Sequence, residues 1–221
     1  MTRTAANKAE DLYRAKRNMM ERNLRGRDIL DPRVLNAMET VPRESFVPPE
    51  DSAMAYDDCP LSIGYGQTIS QPYIVALMAQ KLDIQPEEKV LEIGAGCGYQ
   101  AAVLSCLAAK VYTVEIIDEL ACAAQSKLME LGYGNVVVIH ADGTHGWEAQ
   151  APYQKIIAAA TARKTPQALE DQLAEGGRII IPVGADVVQN LVLGEKNNGV
   201  VEYETVTLVR FVPMTGDARK L

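Results

Sequence analysis

The residues best suited to chemistry lie in Lys89-Val-Leu-Glu-Ile-Gly-Ala-Gly-Cys-Gly-Tyr-Gln100, an apolar strand running into glycines at 94, 96 and 98. Glycines there let the backbone turn sharply and let a ligand lie against it with no Cβ in the way. In open α/β sheets a Gly-rich strand-to-helix turn is a nucleotide-cofactor cradle. Spacing and charge bear on which cofactor. Counted from Gly94, the dinucleotide pattern G-x-G-x-x-G fails at Tyr99; counted from Gly96, it half-matches through Gly98 and Ala101. Glu92, at the strand end, has the wrong charge for a pyrophosphate. It suits a cofactor whose near end carries an ammonium and a sulfonium. S-adenosylmethionine is therefore expected ahead of a nicotinamide dinucleotide, with a tight structural turn as the remaining reading.

Further acids close the strands that follow. Glu115 lies about 20 residues past the turn, where an acid grips ribose hydroxyls. Asp142, next to Gly143, could accept from an adenine amino group, and Thr161 ends the next strand. Glu115 and Asp142 could equally cap the helices or turns after them. Three acids at successive strand ends favour the ligand reading. A second constellation lies upstream, in Ser62-Ile-Gly-Tyr-Gly-Gln-Thr-Ile-Ser-Gln-Pro72. It offers glycines, an amide and hydroxyls just before a helix, whose first N–H groups favour an anion. The plainer reading is a capped helix entry with Ser70 as N-cap. The only histidines are His140 and His145, and no histidine lies near Cys97 in sequence.

The elements that must position these residues read from the same pattern. Residues 5–25 form a charged, weakly amphipathic helix with Leu12, Met19, Met20 and Leu24 inward. Asp31-Pro32 opens a helix to about Thr40, with Asp as N-cap and Pro at the first helical position. Residues 50–70 lack periodicity and read as a long loop of the functional kind. Gln71-Pro72 opens a helix to about Leu82. Strands then follow at 89–93, 110–115, 135–140, 154–160 and 178–183, with helices near 99–108, 118–131 and 165–173 between them. Near-continuous apolar strands alternating with helices imply a doubly wound, mostly parallel sheet. Residues 189–194 and 200–206 flank a hairpin loop at 195–199 and add an antiparallel carboxyl-terminal edge. The fold class is α/β, Rossmann-like. One domain is expected over 1–221. It comprises a helical and substrate-loop region (1–82), a cofactor-binding core (89–183) and a β-rich substrate-side segment (184–221).

Composition narrows the function. A net charge of −7 over 221 residues argues against a broad nucleic-acid face or an anionic membrane partner. No apolar run reaches the roughly 18 residues that a span needs. The first ten residues carry charge without an apolar core, unlike a signal peptide. Cys59, Cys97, Cys106 and Cys122 form no C-x-x-C pair, so neither a disulfide framework nor a metal site is expected. Cys106 and Cys122 fall in predicted helices, as small hydrophobes do. A reduced cytoplasmic protein follows.

Gly66-Gln-Thr-Ile-Ser-Gln-Pro72 followed by Val90-Leu-Glu-Ile-Gly-Ala-Gly-Cys-Gly-Tyr-Gln100 resembles the protein-L-isoaspartate (D-aspartate) O-methyltransferase family. Val41-Pro-Arg-Glu-Ser-Phe-Val47, Val114-Glu115, Asp142-Gly143, Gly176-Gly-Arg178, Pro182-Val-Gly184 and Arg210-Phe-Val-Pro213 fall in the same order, so the resemblance covers about residues 31–216. The glycine motif alone marks only a class I methyltransferase; the 67–72 block narrows it. The resemblance implies methyl transfer from S-adenosylmethionine to the free carboxylate of L-isoaspartyl residues in damaged proteins and peptides. S-adenosylhomocysteine is then the product, and repair proceeds through a succinimide. It gives Ser70 the active-site position and Gln67, Thr68 and Ile69 the contacts beside it. Glu92, Gly94 and Ala95 take the methionine end, Glu115 the ribose, Asp142 and Gly143 the adenine, and Gly96 also binds the cofactor. Ile69, Ser70, Val212, Pro213 and Thr215 line the peptide site. Two stretches depart from the pattern, Gln154-Lys155 and Ala159-Ala-Thr-Ala-Arg-Lys164, both expected at the cofactor-side end of their strand.

A carboxylate acceptor is already ionised at pH 7, so no general base is required and Ser70 is expected to orient rather than attack. A monomer is expected. The rival readings are a methyltransferase that esterifies a normal Asp in one dedicated partner, and a non-catalytic module that binds S-adenosylmethionine.

Overall fold

The structure, a computed structural model, describes residues 5–220. Residues 1–4, part of the stretch read above for a leader, and Leu221 lie outside it. Helix α1 (Ala5–Asn18) passes into a π-helical turn, Met19–Arg25. The expected single helix over 5–25 thus changes type near its end. The wider turn puts Met19 and Leu24, five residues apart, on one buried side together with Met20. Leu12 is only half-buried. Helix α2 (Pro32–Thr40) starts as expected, with the Asp31 side chain accepting from Arg33 N.

The segment read as an aperiodic loop holds more structure than that. It contains a 3₁₀ turn, Pro49–Met54, and a small hairpin of β1 (Leu61–Gly64) and β2 (Gln67–Ile69). Strands this short carry too few residues to show alternation. The hairpin turns through Gly64, Tyr65 and Gly66, all at positive φ. Helix α3 (Pro72–Leu82) follows, with Gln71 rather than Ser70 as its N-cap residue.

The main sheet is built from β3 (Lys89–Ile93), β4 (Lys110–Glu115), β5 (Val136–His140), β6 (Tyr153–Ala158), β7 (Leu173–Val183), β8 (Gln189–Asn197) and β9 (Val200–Val209). Between them run α4 (Tyr99–Ser105), α5 (Asp118–Glu130) and α6 (Gln167–Asp171). The strand order is β5-β4-β3-β6-β7-β8-β9, parallel through β7 and antiparallel beyond. β7 begins five residues before its expected start because Leu173 already pairs with Tyr153, ahead of a bulge. The carboxyl-terminal hairpin turns on Asn198-Gly199 alone, both at positive φ, so the expected five-residue loop is mostly strand.

Alternation along the strands covers both faces of the sheet. Val90, Ile157 and Ile180 pack with α2, α3 and α4, while Leu91, Ile156 and Ile179 pack with Leu169 of α6 and with Met214 and Ala218. Cys106 and Cys122 are exposed, contrary to the small-hydrophobe expectation; Cys106 stands one residue past α4. Among the described residues no helix is long and apolar enough to cross a membrane.

One side chain fastens the amino-terminal layer to α3. Gln80 Oε1 accepts from Leu30 N at 2.6 Å and Asp31 N at 2.9 Å, while its Nε2 donates to Asp28 O at 2.9 Å. Gln80→Ala orphans three backbone groups. It should cost about 1–3 kcal/mol, lowering Tm by several degrees with cofactor affinity kept. Thermal melts paired with calorimetry check this.

Candidate active site

The chain crosses the sheet between β5 and β6, so β3 and β6 lie side by side while their following turns lead to opposite sides. The crevice at such a switch point is where ligands sit in doubly wound sheets. Here a cleft of about 780 Å3, partly open to solvent, lies on the carboxyl ends of these strands. Gly94, Gly96 and Gly98 take φ of 91°, 53° and 89°, a conformation open to glycine and strained for other residues. A Cβ on Gly98 would approach Leu128 of α5 to 3.2 Å, so this glycine also serves packing.

The cleft gathers most of the expected residues. Gln67, Thr68, Ile69 and Ser70 form one wall, Gly94, Ala95 and Gly96 the turn, and Glu115 and Gly143 the far side. Val212, Pro213 and Thr215 close it from the carboxyl-terminal segment. That segment is clasped to the end of β6: Thr161 N donates to Val212 O at 2.9 Å and Met214 N to Thr161 O at 2.7 Å. Thr161 is therefore a fastening rather than a ligand. Ile116, Ile117, Tyr99 and Gln100 also line the cleft and escaped the sequence reading. The Ile-Ile pair directly after Glu115 was the available signal, since an adenine ring needs apolar walls.

Glu115 caps the turns on either side of it and also lines the cleft. Its Oε2 accepts from Gly96 N at 2.9 Å and its Oε1 from Ile117 N at 3.0 Å. It locks the glycine turn to the end of β4 and still faces the cleft.

Two acids stand differently from expectation. Asp142 does not line the cleft. Its Oδ1 accepts from Thr144 N at 2.9 Å and its Oδ2 from Asp217 N at 2.8 Å, so it caps a turn and anchors the chain end. Partial burial opposes its ionisation, but the N–H groups of Asp217 and Thr144 outweigh it and hold the carboxyl below its usual range. His145 and Asp217 converge on it, placing three possible metal ligands within 4.8 Å of one another, although both Asp142 oxygens are already in use. Glu92 also stays out of the cleft. It is fully buried, and neither its oxygens nor the polar ends of Gln100 and Thr113 find a hydrogen-bond partner among the described residues.

The other expected anion site is filled from within. At the start of α3 the Asp58 carboxylate accepts from Tyr73 N at 3.3 Å and from Gln71 Nε2 at 2.7 Å, and it pairs with Arg27. The helix N-terminus thus carries the protein's own anion. Burial pushes the Cys97 thiol up to about 11, which disfavours the nucleophilic thiolate. Gln154 and Lys155 lie at the amino end of β6, away from the cleft. There Gln154 Oε1 accepts from Lys89 N at 3.1 Å and Lys155 pairs with Glu88 at 3.6 Å.

Comparison with known proteins gives the family and the fold. The family model for protein-L-isoaspartate(D-aspartate) O-methyltransferase (PCMT) matches residues 14–219. The chain belongs to this family. A Nitrosococcus oceani protein-L-isoaspartate O-methyltransferase 2 is 52% identical over 192 residues, 86% of this chain and 88% of the relative. A Methanoregula boonei protein-L-isoaspartate O-methyltransferase is 49% identical over 91% of this chain and 93% of its own. A solved protein-L-isoaspartate O-methyltransferase superposes with a TM-score of 0.82 at 26% identity, over 94% of this chain and 67% of that one. A putative protein-L-isoaspartate O-methyltransferase from Plasmodium falciparum, crystallised with S-adenosyl-L-homocysteine, gives 0.79 at 27% identity over 90% and 97%.

Desolvation, helped by the Glu115 charge, pushes Glu92 up to about 8 from 4.5, with Thr113 and Gln100 pulling the other way. An acid raised in the folded state binds more protons folded than unfolded across that window, so stability falls as pH rises through it. Glu92→Gln should be near neutral at about pH 4 and stabilising by about pH 8. The gap should open by up to about 1.4 kcal/mol per pH unit. Denaturant melts of the ligand-free protein across this range check it; a gap that stays constant would show that Glu92 titrates normally.

Proposed function

We propose that the chain transfers a methyl group from S-adenosylmethionine to the free carboxylate of L-isoaspartyl residues, with Ser70 holding the acceptor. The observation that carries this is the position of Ser70. It lines the cleft on the glycine turn and also a second one, walled by Pro60, Leu208, Arg210 and Phe211. Among the described residues its hydroxyl hydrogen-bonds to nothing. A donor left free where two clefts meet suits a ligand that arrives from one side and reacts on the other.

The inner cleft fits the cofactor on its own features. Glycine backbone lines one end, Glu115 offers remaining acceptor capacity to the ribose hydroxyls, and Ile116, Ile117 and Gly143 give the adenine a flat, largely apolar slot. Gln67, Thr68, Ile69, Gly94, Ala95 and Gly96 would hold the methionine end. The buried Glu92 lies behind them and acts through the field of its carboxyl rather than by contact. When bound, S-adenosylmethionine supplies an electrophilic methyl group. The acceptor carboxylate arrives ionised and needs no base. Ser70 donates to one of its oxygens, which offsets part of the desolvation cost and aims the other. Ile69, Val212, Pro213 and Thr215 exclude water around them. Holding two reactants in line in this way can lower a barrier by several kcal/mol.

The proposed organisation is one domain. Residues 1–82 supply the Ser70 wall, 89–183 the cofactor core and 184–221 the cover, acting as a monomer in the cytoplasm on isoaspartyl proteins and peptides. Methyl transfer to an isoaspartyl peptide and to its normal aspartyl twin tests the reaction. Methylation of the isoaspartyl form alone is expected. Transfer to the normal form alone would mean esterification of an ordinary Asp, and no transfer with intact binding would mean a binding module.

Ser70→Ala should lower kcat/KM by about 10–100-fold, the loss of one donor to a charged group, while Ser70→Thr keeps part of the rate. Full activity in Ser70→Ala would remove the assignment, and a methyl adduct on Ser70 without acceptor would replace it with a covalent relay. Glu115→Ala should raise the cofactor KM about tenfold or more. It should also lower Tm, because the Gly96 and Ile117 N–H groups lose their acceptor. Steady-state kinetics and thermal melts on the same preparation check both effects.

A further inference from the structure

The outer cleft carries a charge pattern that the reaction itself does not require. It consists of two adjoining hollows that share Pro60, Thr68, Arg210, Phe211 and Val212: Ser70 and Leu208 line the first, Arg163 and the single Asp186 the second, and both arginines are exposed. Among the described residues neither arginine has an ion-pair partner, in a chain whose net charge is −7. Both are held in place from below. Arg163 follows Thr161 by two residues and Arg210 precedes Val212 by two, and the Thr161–Val212 clasp ties these loops together. Beside them stand Val187 and Leu208, 76% and 66% exposed, with Val188 at 42%. An apolar strip flanked by unpaired guanidinium groups, continuous through Thr68 and Val212 with the Ser70 wall, suits an extended chain with a carboxylate side group.

We propose that Arg163 and Arg210 select isoaspartyl peptides bearing an acidic side chain within a few residues of the damaged site. The apolar strip of Val187, Val188 and Leu208 supports the neighbouring residues. This rests on reading the outer cleft as the peptide side of Ser70.

The experiment compares one isoaspartyl peptide flanked by Glu, by Gln or by Lys, against the intact chain and the Arg163→Glu, Arg210→Glu and doubly substituted forms. The Glu-flanked peptide should show a KM lower than the Lys-flanked one by roughly three- to tenfold, as expected of exposed charge pairs. Added salt should shrink that ratio, and the double substitution should invert it. The effect should fall on KM rather than kcat, and S-adenosylhomocysteine binding by calorimetry reports that each variant is folded. Equal KM values for the three peptides in the intact chain would overturn the proposal, as would a preference that survives both substitutions. If no isoaspartyl peptide of any flank is methylated, the functional reading fails instead.

Discussion

The parallel pairing of β3 with β6 is the constraint on which the site depends. These strands sit adjacent in space but are separated in the chain by α4, β4, α5 and β5, so their carboxyl ends open a gap that no connecting loop fills. Gly94 leaves β3 in one direction and Ala159 leaves β6 in the other. A Cβ on Gly94 would stand 3.6 Å from that of Ala159, which shows how closely the two turns pass. The cradle, the clasp at Thr161 and the Ser70 wall are all arranged around this one gap.

Acidic side chains hold the surroundings of the gap in shape. Asp58 satisfies the start of α3, Asp142 ties the turn after β5 to the chain end, and Glu115 joins the glycine turn to β4. Each accepts backbone N–H groups that would otherwise stay unpaired, which fixes loops that have little apolar surface of their own. Glu92 is the exception. Its carboxyl is buried and accepts from no backbone N–H, and desolvation favours the neutral form against the pull of Thr113 and Gln100.

Long, strongly patterned elements were legible from residues alone. β3 and β4 were bounded correctly by their apolar runs, and α2 and α3 by the Asp31-Pro32 and Gln71-Pro72 openings. The β1–β2 hairpin was not legible, because three- or four-residue strands carry no period, and the π turn at Met19–Arg25 follows from packing rather than propensity. Among candidate site residues, Glu115, singled out by its place at a strand end, and residues 67–70, singled out through the family resemblance, all line the cleft. Position along the chain could not say where a side chain turns. Asp142 points to Thr144 and Asp217 and Glu92 points inward, and those directions are set by neighbours remote in sequence, such as Asp217 on the returning chain end. The reading of Gln154-Lys155 failed for a related reason. Motif spacing placed the pair near a strand end without fixing which end.

The wall between the two clefts is one residue thick. Thr68, Ser70, Ala159 and Val212 each present one side to the glycine turn and the other to the outer cleft. With the cofactor in one cleft and the peptide in the other, as proposed, a substitution at any of them disturbs both ligands at once, so drift at these positions is penalised twice. Arg163 and Val187 border the outer cleft alone. Over many generations such a molecule can retune which damaged chains it favours by changing its outer rim, while the partition that brings the two reactants together stays fixed.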